Sequence, residues 1–125
     1  MNNIDLLKDC PWKRTRMSPT KEEIFHVIQY IKSRNMPLDT FLEFGCGVTS
    51  WYLSQLGFNE YVAVEEYEDA INKVVKYCPS VNVVKKWTDI PIAKYRYIFV
   101  DSHAGGDAAP NERYKTFEYA IKNNL

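Results

Sequence analysis

Glu43, Gly45, Gly47 and Glu65 are residue types and spacings that suit a nucleoside. Glycines at 45 and 47 let the backbone take positive φ and leave no side chain between the chain and a ligand. Glu65 follows 20 positions after Gly45, where an acid at a strand end accepts both hydroxyl hydrogens of a ribose. Each feature alone is ordinary, since a Gly-x-Gly is often only a tight turn and a lone glutamate a surface acid. Their conjunction, each at the end of a strand, points to nucleoside binding. Cys46 between the glycines is expected to be a packed, inert thiol, although a helix N-terminus beside it would lower its pKa. Asp101 and His103 form a second pair. His103 has the chemistry of a general base, but a single histidine beside a glycine-rich loop is also an ordinary turn residue. Asp101 is a candidate to orient a ligand amine, an acceptor or a metal. Two ligands fall short of a metal site, so no metal is expected.

The elements that must position these residues are legible as alternating strands and helices. Ser18-Pro19 or the Thr20–Glu23 capping pair starts a helix. Ile24, Val27, Ile28 and Ile31 recur along it at helical spacing through about Arg34. Pro37 ends it. Thr40 to Phe44 is a short β-prone run, followed by the glycine loop and a helix from Thr49 to Leu56 that stops at Gly57. Glu60 to Glu65 is a second strand, Glu68 to Tyr77 a helix closed by Pro79, and Val81 to Val84 a third strand. Tyr97 to Asp101 is a fourth, a glycine-rich loop runs from Ser102 to Pro110, and a last helix covers about Asn111 to Asn123. Residues 1–17 read as an arm or short leading helix, and 18–125 as one domain. Alternation of strand and helix implies parallel pairing with right-handed crossovers. Strands apolar throughout imply helices on both faces of the sheet. The expected fold is therefore α/β, a doubly wound and mostly parallel sheet. Ligands of such a sheet sit beyond the carboxyl ends of the strands, where Glu43, Glu65 and Asp101 fall.

Phe41-Leu42-Glu43-Phe44-Gly45-Cys46-Gly47 resembles the first motif of class I S-adenosylmethionine-dependent methyltransferases, a family with a Rossmann-like fold. Tyr61-Val62-Ala63-Val64-Glu65 resembles their second motif, and Tyr97-Ile98-Phe99-Val100-Asp101 their fourth. The resemblance covers about Ser18 to the end of the chain and implies S-adenosylmethionine as cofactor. It implies that Glu43, Gly45, Cys46, Gly47 and Asp101 help hold the cofactor, with the loop from Gly45 to Val48 along its methionine moiety and Glu65 on its ribose. Residues after strand three would flank the adenine. Lys85-Lys86-Trp87-Thr88 stands there where the family often has an acid, and Trp87 would stack on the base or else belong to the core. Asp101 and His103 would face the transferred methyl group. Asp101-Ser102-His103 is not the Asn/Asp-Pro-Pro-aromatic motif of amino-methylating nucleic-acid enzymes. With Arg113 it is more similar to small-molecule or sugar O-methyltransferases, which implies a small-molecule acceptor and no nucleic acid. The family fold has seven strands, so this stretch corresponds to its first half. Strand four would then be an exposed edge, which folded proteins protect. The last helix, the arm or a second copy of the chain in a homodimer would cover it, unless the chain is part of a longer product.

Bulk composition agrees with a globular domain and excludes several classes. Sixteen basic and sixteen acidic residues leave no net field to attract nucleic acid or a membrane surface. Three cysteines without CxxC spacing argue against a disulfide framework or structural zinc. No apolar run spans a bilayer and no leader opens the chain, so no membrane partner and a cytoplasmic location are expected. Ser50 stands where a dinucleotide fingerprint has its third glycine, which counts against a nicotinamide enzyme, and a P-loop is absent. The rival to a methyltransferase is a non-catalytic Rossmann-like module that acts through assembly or partner binding.

Overall fold

The protein is seen in a computed structural model that describes residues 7–13, 19–86 and 90–100. Helix α1 (Lys21–Ser33) begins at the Thr20 alternative rather than at Ser18. Glu23 N–H donates to Thr20 Oγ1 at 3.1 Å while Thr20 N–H donates to Glu23 Oε1 at 2.7 Å. These bonds satisfy two of the orphan donors of the first turn. Ile24, Ile28 and Ile31 form its buried stripe. Strand β1 (Thr40–Phe44) leads through the glycine loop into helix α2 (Val48–Leu53), which tightens into a 3₁₀ turn at Ser54–Leu56. Gly57 closes that turn at φ 87°, a left-handed conformation glycine adopts without a Cβ penalty. Strand β2 (Glu60–Val64), helix α3 (Glu68–Tyr77), strand β3 (Val81–Val84), a 3₁₀ turn at Ile92–Lys94 and strand β4 (Tyr97–Val100) follow.

The fold is α/β, built on a four-stranded parallel sheet in the order β3-β2-β1-β4. The order reverses between β1 and β4, and right-handed crossovers then demand that the connections change face at that point. They do. The helices α1, α2 and α3 bury Ile28, Leu53 and Val74 against Phe41, Tyr61, Val81 and Tyr97, on one face of the sheet. The connection into β4 instead brings Ile92 and Tyr95 onto Leu42, Phe44, Val62 and Val64, on the other. The pleat sends successive side chains to opposite faces, so Leu42 and Phe44 pack away from the helices while Phe41 and Glu43 point beneath them. The helix expected over 111–123 lies outside the described residues.

Two polar clips hold the amino ends of the strands. Arg96 donates through Nε and Nη2 to the two oxygens of Asp39, at 2.9 and 3.0 Å. This fork ties the start of β1 to the start of β4 and holds the Asp39 carboxyl down at about 2. Lys94 Nζ reaches Glu60 Oε2 at 2.9 Å, and the Tyr95 hydroxyl donates to the same oxygen at 3.1 Å.

The described part of the arm, residues 7–13, docks on the helical layer. Trp51 Nε1–H donates to Lys8 O at 2.8 Å, and Gln55 bonds the Lys8 backbone from both sides, at 2.8 and 3.2 Å. The Trp12 ring lies 5.5 Å from Tyr77 and 6.2 Å from Trp51, bridging α3 and α2. This part of the arm therefore covers the outside of α2 and α3. Among the described residues no helix is long and apolar enough to cross a membrane.

Candidate functional site

Parallel pairing brings the carboxyl ends of β1 and β2 side by side, with Phe44 opposite Val64. The next residues on each strand are Gly45 and Glu65, so the loop and the acid meet. Gly45 N–H donates to Val64 O at 2.8 Å, and Glu65 N–H donates to Val84 O at 2.9 Å, extending the ladder one step beyond each strand. The Glu65 side chain, 6 % exposed, then turns across the strand ends. Its Oε1 accepts the Cys46 N–H at 3.0 Å, and its Oε2 accepts the amides of Glu66 and Tyr67 at 3.1 and 3.2 Å. One carboxylate thereby fastens the glycine loop to the start of α3. Those bonds take three of the roughly four acceptor positions that a carboxylate offers.

Glu43 stands in a different place. It is 1 % exposed and lies beneath the loop on the helical face of the sheet. Its Oε1 accepts the Ser50 hydroxyl at 2.6 Å and the Tyr61 hydroxyl at 2.9 Å. Ala63 is its neighbour on β2, and this small side chain leaves room for the Tyr61 ring to send its hydroxyl up to the carboxylate. Ser50, itself fully buried, accepts the Gly47 N–H at 3.1 Å. Burial pushes the Tyr61 hydroxyl well above its ordinary pKa, and the neighbouring Glu43 charge adds to the rise. Sequence reasoning missed the Ser50–Glu43–Tyr61 network. The only available signals were a tyrosine and a serine at apolar positions of otherwise buried elements.

The loop amides turn inward rather than toward a ligand. Gly45 N–H is spent on Val64, Cys46 N–H on Glu65 and Gly47 N–H on Ser50. Among the described residues the carbonyls of Gly45 and Cys46 carry no hydrogen bond. This is the opposite polarity to a phosphate-binding loop, which aims successive N–H groups at the anion. Gly47 sits at φ 154° and ψ −132°, and a Cβ built there would meet nothing within 4 Å. The glycine is required by its torsion, and the space over it is open.

Cys46 has its thiol pushed far up by burial, with the Glu43 and Glu65 charges adding to the effect. It is a packed thiol with no thiolate character at neutral pH. Burial likewise raises Cys78, to about 11. Among the described residues no three His, Cys, Asp or Glu side chains gather as a metal site. Of the residues singled out in the sequence, the structure brings Gly45, Cys46, Gly47 and Glu65 together and sets Glu43 below them. Trp87, Asp101 and His103 lie outside the described residues. No family model, curated protein or solved structure matches the chain.

Proposed function

We propose that the chain binds S-adenosylmethionine at the loop between β1 and α2 and serves as the cofactor-binding portion of a methyltransferase. The observation that carries this reading is the 3.0 Å bond from Cys46 N–H to Glu65 Oε1, which sets a strand-end acid against a glycine loop at the carboxyl ends of a parallel sheet.

The residues present fit the group. Glu65 keeps acceptor capacity for a ribose hydroxyl after its three amide bonds. The carbonyls of Gly45 and Cys46 and the buried charges of Glu43 and Glu65 make an acceptor-rich, anionic setting, suited to the cationic methionine end and unsuited to a pyrophosphate. That polarity favours this cofactor over a nicotinamide dinucleotide. The open space over Gly47 admits a ligand close to the backbone. When bound, the cofactor supplies an electrophilic methyl group. The chain's part is to grip the ribose through Glu65 and to hold the loop still, since an in-line displacement depends chiefly on positioning. The resemblance gives Trp87 the adenine, and Asp101 and His103 the methyl end, with a small molecule or sugar hydroxyl as acceptor.

Isothermal titration with S-adenosylmethionine, S-adenosylhomocysteine and a nicotinamide dinucleotide tests the reading, repeated on Glu65→Ala. Binding of the first two but not the third is expected. Glu65→Ala should weaken it about tenfold or more, equivalent to about 1.4 kcal/mol. No heat from a folded chain would sink the cofactor reading and leave the loop as architecture.

A further inference from the structure

We infer that Glu43 is a positioning residue, which sets the glycine loop from beneath through Ser50 rather than touching a ligand. Glu43 is 1 % exposed, and its Oε1 accepts the hydroxyls of Ser50 and Tyr61. A serine hydroxyl has one hydrogen. At 2.6 Å that hydrogen goes to Glu43, which turns the serine lone pairs up to the Gly47 N–H at 3.1 Å. The bond to Glu43 therefore decides which way Ser50 points, and Ser50 decides which way the Gly47 peptide faces. With that N–H drawn down, Gly47 holds its φ of 154°, and α2 starts directly after it. On the other side of the loop, Glu65 draws Cys46 N–H inward. Two carboxylates thus act on consecutive amides, one through Ser50 from below and one from the strand end, and together turn those amides inward.

A buried carboxylate carries a desolvation cost that apolar side chains of the same size avoid. Packing alone gives no reason for a buried acid near the carboxyl end of β1, whereas the orientation of Ser50 does. Tyr61 shares the same Glu43 oxygen and also meets the Ser50 hydroxyl, but it belongs to β2, and the bond to the Gly47 amide is made by Ser50 alone. The two hydroxyls can therefore be separated by experiment.

The test compares Ser50→Ala, Tyr61→Phe and Glu43→Gln, read by amide hydrogen exchange at Gly47 and Cys46 relative to the core amides of α1. Ser50→Ala is expected to speed exchange at Gly47 about fivefold or more, the loss of roughly one hydrogen bond. Tyr61→Phe removes a neighbour of Ser50 but leaves the Ser50–Gly47 bond itself, so it should lower global stability and loosen Gly47 clearly less than Ser50→Ala does. Glu43→Gln keeps an acceptor oxygen but removes the charge, and should fall between them; it carries the test if Ser50→Ala does not fold. Equal loosening by Ser50→Ala and Tyr61→Phe, or no loosening by Ser50→Ala, overturns the inference. Its consequence for affinity rests on the cofactor reading above: Ser50→Ala should weaken S-adenosylhomocysteine binding by a factor similar to its exchange effect, and Tyr61→Phe should weaken it less. If the unaltered chain binds neither S-adenosylmethionine nor S-adenosylhomocysteine, that reading fails, and exchange at Gly47 still decides the role of Glu43.

Discussion

The Glu65 carboxylate accepts the Cys46 amide across 3.0 Å of space and 19 positions of sequence, while its second oxygen takes the amides of Glu66 and Tyr67. The same side chain that is placed to hold a ribose is thus also a structural clamp, joining the end of β1 to the entry of α3. Binding and stability are therefore coupled at this residue. A ligand hydroxyl must share a carboxylate already engaged by backbone, and the loop it approaches is held in place by that engagement.

Glu65→Gln separates the two roles. The amide side chain keeps one acceptor oxygen but turns an NH₂ group toward backbone donors, which cannot be satisfied by it. Hydrogen bonds to a charged partner contribute about 1.5–3 kcal/mol, so the variant should lose about 1–3 kcal/mol of stability. Urea unfolding of the two proteins, followed by circular dichroism, measures the difference. A stability equal to that of the unaltered chain would show that the clamp is not formed.

Gly47→Ala tests whether the loop is held by torsion or by space. Nothing lies within 4 Å of a Cβ at this position, so a steric account gives no cost. The backbone stands at φ 154° and ψ −132°, a region that only glycine occupies without strain of about 1–3 kcal/mol. Destabilisation by that amount is expected in chemical denaturation, with α1 intact. A neutral effect would mean that the loop relaxes to a conformation open to any residue.

Much of this was legible in the sequence, for identifiable reasons. The strands are short, largely apolar runs, β1 ending at Gly45 and β2 starting after Asn59, and α1 and α3 carry buried residues at helical spacing, so element type and order could be read directly. Gly57 marked the end of the helical stretch that follows β1, where it closes the 3₁₀ turn at φ 87°. The meeting of Gly45 and Glu65 followed from parallel pairing alone. The inward turn of the loop amides was not legible, since it depends on Ser50 and Glu65 closing on them in three dimensions. The docking of Trp12 between Trp51 and Tyr77 was also hidden. A seven-residue stretch shows no period, and its partners lie some 40 to 65 positions away in the chain. The alternation of Glu43 to the helical side of β1 was implied by the pleat, but that two hydroxyls would receive it was not.

The Asp39–Arg96 fork predicts an acid-dependent loss of stability. The Asp39 carboxyl titrates at about 2, below its ordinary 3.8, chiefly because Arg96 hydrogen-bonds its charged form. A depressed carboxyl contributes stability that is fully present above the unfolded value and is lost as pH falls through the folded one. Asp39→Asn should therefore melt at a lower temperature near neutral pH, and the gap should close on acidification from about 4 to about 2. Added salt should narrow the gap at neutral pH, because both partners are about a third exposed. Thermal melts across that range measure it, and a gap unchanged at about pH 2 would exclude the fork as its source.

Trp12 gives a prediction about the arm, and one that isolates it from the site. Its ring makes two aromatic contacts, with Tyr77 at 5.5 Å and Trp51 at 6.2 Å, the latter edge-on with an interplanar angle of 73°. Pairs of this kind contribute about 0.5–1.5 kcal/mol each beyond area burial. Trp12→Ala should therefore cost about 1–3 kcal/mol, and Trp12→Phe less, in urea unfolding. The loop bonds of Gly45, Cys46 and Gly47 run to Val64, Glu65 and Ser50, none of which belongs to the arm. Amide exchange at Gly47 should accordingly keep its rate relative to α1 in Trp12→Ala. Faster relative exchange there would show that the arm reaches the loop through α2, whose first turn is shared between them.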